Sequence, residues 1–201
     1  MRPDIDLARG GPPAAGAPGD EALLVLFANG DADAARELTG RLGPRAYRLA
    51  MRVLGNRAEA EDVAQEAMMR LWRVAPEWQQ GQARVSTWLY RVVLNLCLDL
   101  KRRRPTVDLD AMPEPPDESR SAAERMQEAA RVDALQAALM ELPERQRQAV
   151  VLRHIEELPN PEIAGIMEIS TEAVESLTAR GKRALTRALQ ERREELGYSD
   201  G

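Results

Sequence analysis

The segment STWLYRVVLNLCLDLKRRRP, residues 86–105, constrains the fold more than any other part of the sequence. On a helical wheel at about 100° per residue, it is apolar around most of its circumference. The apolar face centres on Leu89, Val92, Val93, Leu96 and Leu100, and it is widened by Tyr90, Leu94, Cys97 and Leu98. Because so much apolar surface is stable only when removed from water, we expect this helix to be largely buried in a helical domain, with one edge exposed.

The exposed edge of this helix is narrow and polar. It consists of Trp88, Arg91, Asn95, Asp99 and Arg102. An aromatic ring beside cationic and hydrogen-bonding side chains is a combination that proteins use to hold unpaired nucleic-acid bases. The composition is equally compatible with aromatic side chains that belong to the core, and both interpretations stay open at this point.

Four consecutive cations close the same helix. They are Lys101, Arg102, Arg103 and Arg104, and Pro105 stops the helix behind them. One or two cations suit the negative end of a helix dipole. Four in succession repel one another, and a phosphate backbone is the partner that would turn this repulsion into binding.

The rest of the chain is helical in pattern from residue 20 onward, without sustained strand-like alternation. Two segments interrupt the pattern: an extension rich in Pro, Gly and Ala at residues 1–20, and a proline-rich acidic segment at residues 105–124. The sequence therefore predicts an all-α fold of two small helical domains, residues 21–104 and 125–196, joined by a flexible acidic linker.

The composition excludes several classes of function. Cys97 is the only cysteine and His154 the only histidine, so an intrachain disulfide is impossible and a metal site or a histidine-dependent triad has no support. The chain shows no nucleophile–base pair or phosphate loop, and we expect neither an enzyme nor a cofactor. Without a signal peptide or an apolar run of about 20 residues, we expect a cytoplasmic protein.

A second amphipathic helix is predicted at residues 58–74. Its apolar stripe consists of Ala60, Val63, Ala64, Ala67, Met68, Leu71 and Trp72. The opposite face carries Glu61, Asp62, Gln65, Glu66 and Arg70. Spacing alone favours an ordinary solvated surface as the interpretation of this charged face.

The second domain contains the spacing of a helix-turn-helix motif. Asn160 is predicted to cap a short helix, and Ser170 to cap the helix that begins at Thr171. The inward side of that last helix is predicted as Val174, Leu177, Gly181, Leu185 and Ala188. The outward side is predicted as Glu172, Glu175, Ser176, Arg180 and Arg183, with Lys182 and Arg187 nearby. Glu168 stands at the turn position that is often glycine, which costs free energy if its φ is positive.

Three segments in order resemble the signature regions of bacterial RNA polymerase sigma factors. They are AEDVAQEAMMRLWR, STWLYRVVLNLCLDLKRRR and LPERQRQAVVLRHIEELPNPEIAGIMEISTEAVESLTARGKRAL. The short two-domain form resembles the extracytoplasmic-function (ECF) subfamily, and the resemblance covers about residues 21–190.

This resemblance implies roles for specific residues of the first domain. Asp62, Gln65, Glu66 and Arg70 would bind the clamp helices of core RNA polymerase. The −10 promoter element would be melted and held as a single strand by Trp78, Gln79, Arg84, Trp88, Arg91, Asn95 and the cations Lys101, Arg102, Arg103 and Arg104.

The resemblance also implies that the second domain reads the −35 element in the major groove. The contacting residues would be Glu172, Glu175, Ser176, Arg180, Lys182 and Arg183. Glu175 stands where relatives often carry a basic residue, so this helix is more acidic than the common pattern. The implied partners are core RNA polymerase (clamp helices and flap), promoter DNA and an anti-sigma factor, which is often tethered to a membrane.

Two other functions remain as alternatives. A sigma-like mimic would titrate an anti-sigma factor without binding DNA, and an autonomous helix-turn-helix regulator would bind duplex DNA without polymerase. The cationic run at residues 101–104 argues against the mimic.

Overall fold

The computed structural model describes residues 18–79, 81, 84–103 and 122–195. Every regular element within these ranges is a helix, so the predicted all-α class is confirmed. The predicted extension at residues 1–20 and the predicted linker at residues 105–124 lie mostly outside the described residues, as does Arg104. Helix reaches slightly into both segments, because the first helix begins at Asp20 and the fifth at Ala122.

Eight α-helices are described, and they form two consecutive groups. The first helical group consists of α1 (Asp20–Ala28), α2 (Ala32–Leu54), α3 (Arg57–Val74) and α4 (Val85–Arg103). The second helical group consists of α5 (Ala122–Glu141), α6 (Glu144–Val150), α7 (Asn160–Met167) and α8 (Thr171–Glu195). A 3₁₀ turn at Ala75–Glu77 follows α3, and a π-helical turn at Val151–Ile155 follows α6.

Local capping fixes the ends of the helices in the first group. The Asp31 carboxylate accepts from the backbone N–H groups of Asp33 and Ala34 at the start of α2. Asn56 caps α3 in the same way, by accepting from the Glu59 N–H at 3.1 Å. Helices α2 and α3 pack against each other, α1 packs on α2, and α4 packs on both α2 and α3.

Helix α4 is buried as predicted, but its buried face is turned relative to the prediction. Its fully buried side chains are Val85, Leu89, Tyr90, Val93, Leu94 and Cys97. Val92, Leu96 and Leu100, which were predicted at the centre of the face, are only half-buried. The second helical group packs against the side of α4 that carries Tyr90: α7 contacts α4, and Glu156, which precedes α7, accepts from the Tyr90 hydroxyl.

Helices α7 and α8 form the predicted helix-turn-helix. The predicted inward side of α8 is confirmed: Val174, Gly181 and Ala188 are buried, and Leu177 and Leu185 are half-buried. Gly181 permits a close approach of α6, because a Cβ at this position would lie 2.6 Å from Cγ2 of Val150.

Of the two helix caps predicted for this motif, one is confirmed and the other is wrong. The Ser170 hydroxyl accepts from the Ala173 N–H at 3.2 Å, which confirms it as the cap of α8. The prediction for Asn160 was wrong: the cap position of α7 is Pro159, whose carbonyl accepts from Glu162 and Ile163. The Asn160 amide is instead directed at α8, where it donates to Glu175 at 3.4 Å.

The two helical groups share one continuous hydrophobic core. Leu139, Leu142 and Val150 of the second group belong to the same buried cluster as Leu49 and Leu89 of the first. At the end of α2, the Gln136 amide of α5 donates to the Met51 carbonyl at 3.0 Å. The second helical group is therefore packed on the first in this structure.

The turn between α7 and α8 generates a stability prediction. Glu168 has φ 54° and ψ 49°, a left-handed conformation that costs an L-residue about 1–2 kcal/mol. Replacing Glu168 with Gly removes this cost. In the opposite direction, the greater conformational entropy of glycine in the unfolded chain lowers the free energy of unfolding by about 0.5–1 kcal/mol. We expect Glu168→Gly to raise the free energy of unfolding by up to about 1 kcal/mol in urea titrations followed by circular dichroism.

Ala179→Gly is the matched control, because Ala179 is exposed in the middle of α8 and has no left-handed backbone to relieve. It should lower the free energy of unfolding by about 1 kcal/mol. Equal destabilisation by both substitutions would show that the turn at Glu168 carries no strain.

Candidate nucleic-acid interface

The predicted edge of α4 is only partly open to solvent. Arg91, Asn95, Asp99 and Arg102 are exposed, whereas Trp88 is half-buried and packs against the core. The edge therefore presents one aromatic ring that is anchored in the protein beside exposed polar groups.

The two tryptophans of this region form a pair. Trp78, just after the 3₁₀ turn, meets Trp88 edge to face, with 6.1 Å between ring centroids and an interplanar angle of 87°. The Trp78 indole N–H is buried and has no hydrogen-bond partner among the described residues. Both tryptophans are half-buried and pack against the core, so the two interpretations of these aromatics are compatible: part of each side chain is packed and part stays accessible.

The loop before α4 is held at its far end by α1. The carboxylate of Glu21 accepts from the backbone N–H of Val85 at 3.1 Å and so caps α4 from another helix. Gln79 and Arg84, two predicted contacts to the −10 element, are exposed on either side of this loop. Residues 80, 82 and 83 lie outside the described residues.

The cations at the end of α4 are not equivalent. Arg102 and Arg103 are exposed, and Arg102 lies 3.9 Å from Asp99 of its own helix. Lys101 is half-buried, with its Nζ 3.4 Å from Oε1 of Glu144 in α6. Burial lowers the pKa of Lys101 and nearby Arg147 lowers it further, while Glu144 opposes both effects. The structure thus leaves Arg102 and Arg103 exposed to solvent, where a phosphate could reach them, and places the half-buried Lys101 against a carboxylate of another helix.

The charged face of α3 lies beside the polar edge of α4. Asp62, Glu66 and Arg70 line a groove of about 320 Å³ between the two helices. The α4 side of the groove is formed by Leu96, Asp99, Leu100 and Arg103. The contact between these two faces was not predicted from the sequence, because a helical wheel shows the residues of one helix and not the helix that packs beside it.

The ionised side chains on the α3 face form ion pairs with one another. Arg70 donates to Glu66 at 2.8 Å, and Arg73 lies 3.7 Å from the same carboxylate. The hydrogen bond from Arg70 is the main reason that the pKa of Glu66 is lowered. Asp62 and Gln65 are exposed one turn earlier, so the face presents a fixed charge pattern to a partner.

The outward side of α8 is open to solvent along its predicted length. Its exposed members are Glu172, Glu175, Ser176, Arg180, Lys182, Arg183 and Arg187. The pKa of Glu172 is lowered by its hydrogen bonds to the backbone and to Ser170 at the start of the helix. Acids at the beginning of α8 and cations further along match the helix dipole, and this surface has the exposure that a recognition helix needs.

A set of polar contacts between α4 and the second helical group was not predicted from the sequence. Tyr90 is 4% exposed, and its hydroxyl donates to Oε2 of Glu156 at 2.6 Å. Thr87 donates to Glu162, and Arg91 donates to the Gly165 carbonyl at 2.5 Å. A tyrosine on an otherwise apolar helix was the available signal, because a buried phenol needs a hydrogen-bond partner.

Comparison with known proteins identifies the family. Residues 38–105 match Sigma-70 region 2, and residues 133–185 match Sigma-70, region 4. The chain is 37% identical over 193 residues to the ECF RNA polymerase sigma factor SigE of Mycolicibacterium smegmatis, covering 90% of this chain and 74% of that protein. It belongs to the ECF family of RNA polymerase sigma factors. The resemblance seen in the sequence is confirmed.

Other relatives agree with this membership. The sigma factor is 32% identical over 182 residues to SigW of Bacillus subtilis, covering 81% of this chain and 92% of the relative. It resembles the structure of CnrH in complex with the cytosolic domain of CnrY, with 27% identity, a TM-score of 0.63, and coverage of 86% of this chain and 97% of that one.

A more distant structure shares the fold alone. This is the sigma factor RpoE of Bartonella quintana in complex with the anti-sigma factor NepR, with 18% identity and a TM-score of 0.64 over 77% of this chain and 96% of that one. In the described part of the sigma factor, no helix is long and apolar enough to cross a membrane.

Cys97 gives a test of the packing of α4. Burial raises the pKa of its thiol to about 12, with Lys101 acting in the opposite direction. At pH 8 only about one thiol in 10⁴ is then ionised, and thiolate is the reactive form. We expect the native protein to react at least about 100-fold more slowly with Ellman's reagent than the same protein in guanidinium chloride. Similar rates in the two conditions would mean that α4 is not packed as described.

Proposed function

We propose that this sigma factor binds core RNA polymerase, melts the −10 element of its promoters with α4 and reads the −35 element with α8. The observation that carries the proposal is the edge of α4, where Arg91 and Asn95 stand exposed beside the anchored pair Trp78 and Trp88. An aromatic ring fixed by the core offers a stacking surface to an unpaired base without ordering a flexible side chain at the moment of binding.

Each surface then has one role. The face of Asp62, Gln65, Glu66 and Arg70 contacts the polymerase clamp helices. The single strand lies on the edge of α4, with Gln79, Arg84 and the cations of residues 101–104 positioned along its phosphates. The outward side of α8 enters the major groove, where Arg180, Lys182 and Arg183 supply phosphate or base contacts and Glu172 and Glu175 can accept from cytosine amino groups.

The remaining predictions become part of this proposal. The domains are residues 21–104 and 125–196, with an extension at residues 1–20 and a linker at residues 105–124. The protein acts by binding rather than by catalysis, and it works in the cytoplasm, where polymerase and promoters are. An anti-sigma factor holds it inactive, as the partner of the Bartonella quintana sigma factor is described by that name.

Reconstitution distinguishes this function from the two alternatives. Transcript mapping after overexpression supplies candidate promoters, and a gel shift is then performed with and without core polymerase. A sigma factor yields an open complex only with core enzyme. An autonomous regulator binds the duplex equally well without it, and a mimic binds in neither case.

Trp88→Ala tests the assignment of the α4 edge. Base stacking on an aromatic ring contributes about 1–3 kcal/mol, so loss of the ring should reduce open-complex formation by about 5- to 150-fold. Permanganate footprinting measures the melting. A template whose −10 region is already unpaired by mismatch should recover part of the activity, because the strand no longer has to be opened.

Two further measurements distinguish the loss of base stacking from a folding defect. Asn95→Ala, at an exposed position on the same edge, should also reduce melting while leaving the thermal midpoint unchanged. Closed-complex formation on duplex promoter should change less than two-fold for both variants. Equal loss of melting and of closed-complex formation would place Trp88 in the core and not at the strand.

A further inference from the structure

The only histidine of the chain, His154, has no role in the function proposed above. It is exposed in the π-helical turn that follows α6. Helix α8 comes very close to the end of α6, because a Cβ at Gly181 would lie 2.6 Å from Cγ2 of Val150. Lys182 follows Gly181 and is exposed, and His154 stands four residues after Val150, about one helical turn further on. Two elements therefore bring an imidazole and an ammonium group to the same side of the second helical group.

The charges that act on His154 are cationic. Partial burial lowers the pKa of His154 most, and the positive charges of Lys182 and Arg153 lower it further. The Arg153 guanidinium, which is also exposed, donates to the Leu158 carbonyl at 2.9 Å and is thereby held close to the same turn. Like charges this close to one another destabilise the protonated imidazole.

The acids of the neighbouring elements do not neutralise this group of cations. Three of them accept hydrogen bonds from other residues: Glu156 from Tyr90, Glu162 from Thr87 and Glu175 from Asn160. Glu157 is exposed in the following loop, but no carboxylate is among the charges that shift the pKa of His154. On α6, Arg145 is directed to the Met167 carbonyl at 3.3 Å. An anion from outside the chain is the group that would relieve the repulsion.

The position of Lys182 on α8 indicates which anion this is. At about 100° per residue, Lys182 lies on a flank of the helix, between the buried Gly181 and the outward Arg183. A helix with its side chains is about 10–12 Å across and fills a major groove of about 12 Å, so its flanks face the two phosphate backbones that border the groove. When the outward side of α8 reads the bases, Lys182 and the adjacent His154 therefore face one backbone, and Arg180 on the opposite flank faces the other.

We propose that His154 and Lys182 together bind one backbone phosphate beside the −35 element, so that the affinity of the sigma factor for this duplex increases when His154 gains a proton. The inference rests on the proposed function, because the phosphate belongs to the duplex that α8 reads there. It adds His154 to the binding surface and assigns Lys182 to the backbone rather than to a base.

The sign of the pH dependence follows from linkage. In the free protein the pKa of His154 lies below its ordinary value. A bound phosphate stabilises the imidazolium and raises this pKa, so the protein takes up a proton on binding between the two values. The affinity is independent of pH above the pKa of the complex. It increases as the pH falls through the two pKa values and levels off below the pKa of the free protein.

Nuclear magnetic resonance of the free full chain measures the starting point. The chain has a single histidine, so labelling histidine with ¹³C at Cε1 gives one resonance to titrate. We expect a midpoint below the ordinary histidine value of about 6.5. The variant Lys182→Gln should raise this midpoint, because it removes one of the two cations that act on the ring. A midpoint at or above the ordinary value in the wild type would overturn the proposal.

The binding test uses the full chain assembled with core polymerase. Its ligand is a fluorescein-labelled duplex of about 30 base pairs that carries the −35 element of a mapped promoter and ends upstream of the −10 element. Fluorescence anisotropy gives the affinity of the wild type and of His154→Gln, and the ratio of the two removes the titration of the polymerase itself. Between about pH 8.5 and pH 5.5 this ratio should increase about ten-fold, which corresponds to a rise of one unit in the pKa of His154 on binding.

Two further variants separate the charge of His154 from its place in the structure. His154→Lys carries a permanent charge and should bind at pH 8.5 about as tightly as the wild type binds at pH 5.5. Thr39→His, combined with His154→Gln, returns a titratable imidazole at an exposed position of α2 and should not restore the pH dependence. At pH 5.5 the slope of log affinity against log NaCl should be smaller by about 0.9 for His154→Gln than for the wild type, as expected for one phosphate contact.

Three results would overturn the proposal. They are a ratio of wild-type to His154→Gln affinity that does not change with pH, a pH dependence restored by Thr39→His, and an effect of His154→Gln that appears equally in binding to core polymerase without DNA. The last result would assign this surface to the polymerase. Failure of the proposed function looks different: no open complex forms on the complete promoter, whereas binding of the −35 duplex keeps its dependence on His154.

Discussion

The structure depends on a single helix, α4, whose sides have four different surroundings. The buried side of α4, with Leu89, Val93 and Cys97, completes the core of the first helical group. Its polar edge carries Arg91 and Asn95, and its flank next to α3 forms one wall of a groove. The remaining stripe is covered by the second helical group through Tyr90 and its neighbours. A change in the rotation of α4 would therefore disturb all four surfaces together.

This arrangement explains how one small chain can keep several binding surfaces apart. The groove between α3 and α4 is formed within the first helical group, so its shape does not depend on where the second group lies. The remaining stripe of α4, in contrast, takes its surroundings from the second group, which accepts hydrogen bonds from Tyr90 and Arg91 and places Glu144 3.4 Å from Lys101.

Much of this could be predicted from sequence, and what could not be predicted has a physical cause. The inward side of α8 was correct because Val174, Gly181 and Ala188 repeat at the helical period. The buried face of α4 includes Tyr90 and Cys97 rather than Val92, Leu96 and Leu100, and the hydroxyl of Tyr90 donates to Glu156, a residue 66 positions later in the chain. Periodicity reports how apolar a face is, but not which neighbour will cover it. The roles of the individual site residues stay predictions.

The contact between Tyr90 and Glu156 is the most direct test of the account, because it joins α4 to the second helical group through one partly buried hydrogen bond to a carboxylate. A double-mutant cycle of Tyr90→Phe and Glu156→Ala, measured as free energies of unfolding in urea, isolates this interaction, because each substitution removes one partner of the hydrogen bond. We predict a coupling of about 1–2 kcal/mol, as expected for a hydrogen bond to an ionised group. Additivity of the two single substitutions to within about 0.3–0.5 kcal/mol would contradict the packing of the second helical group on α4.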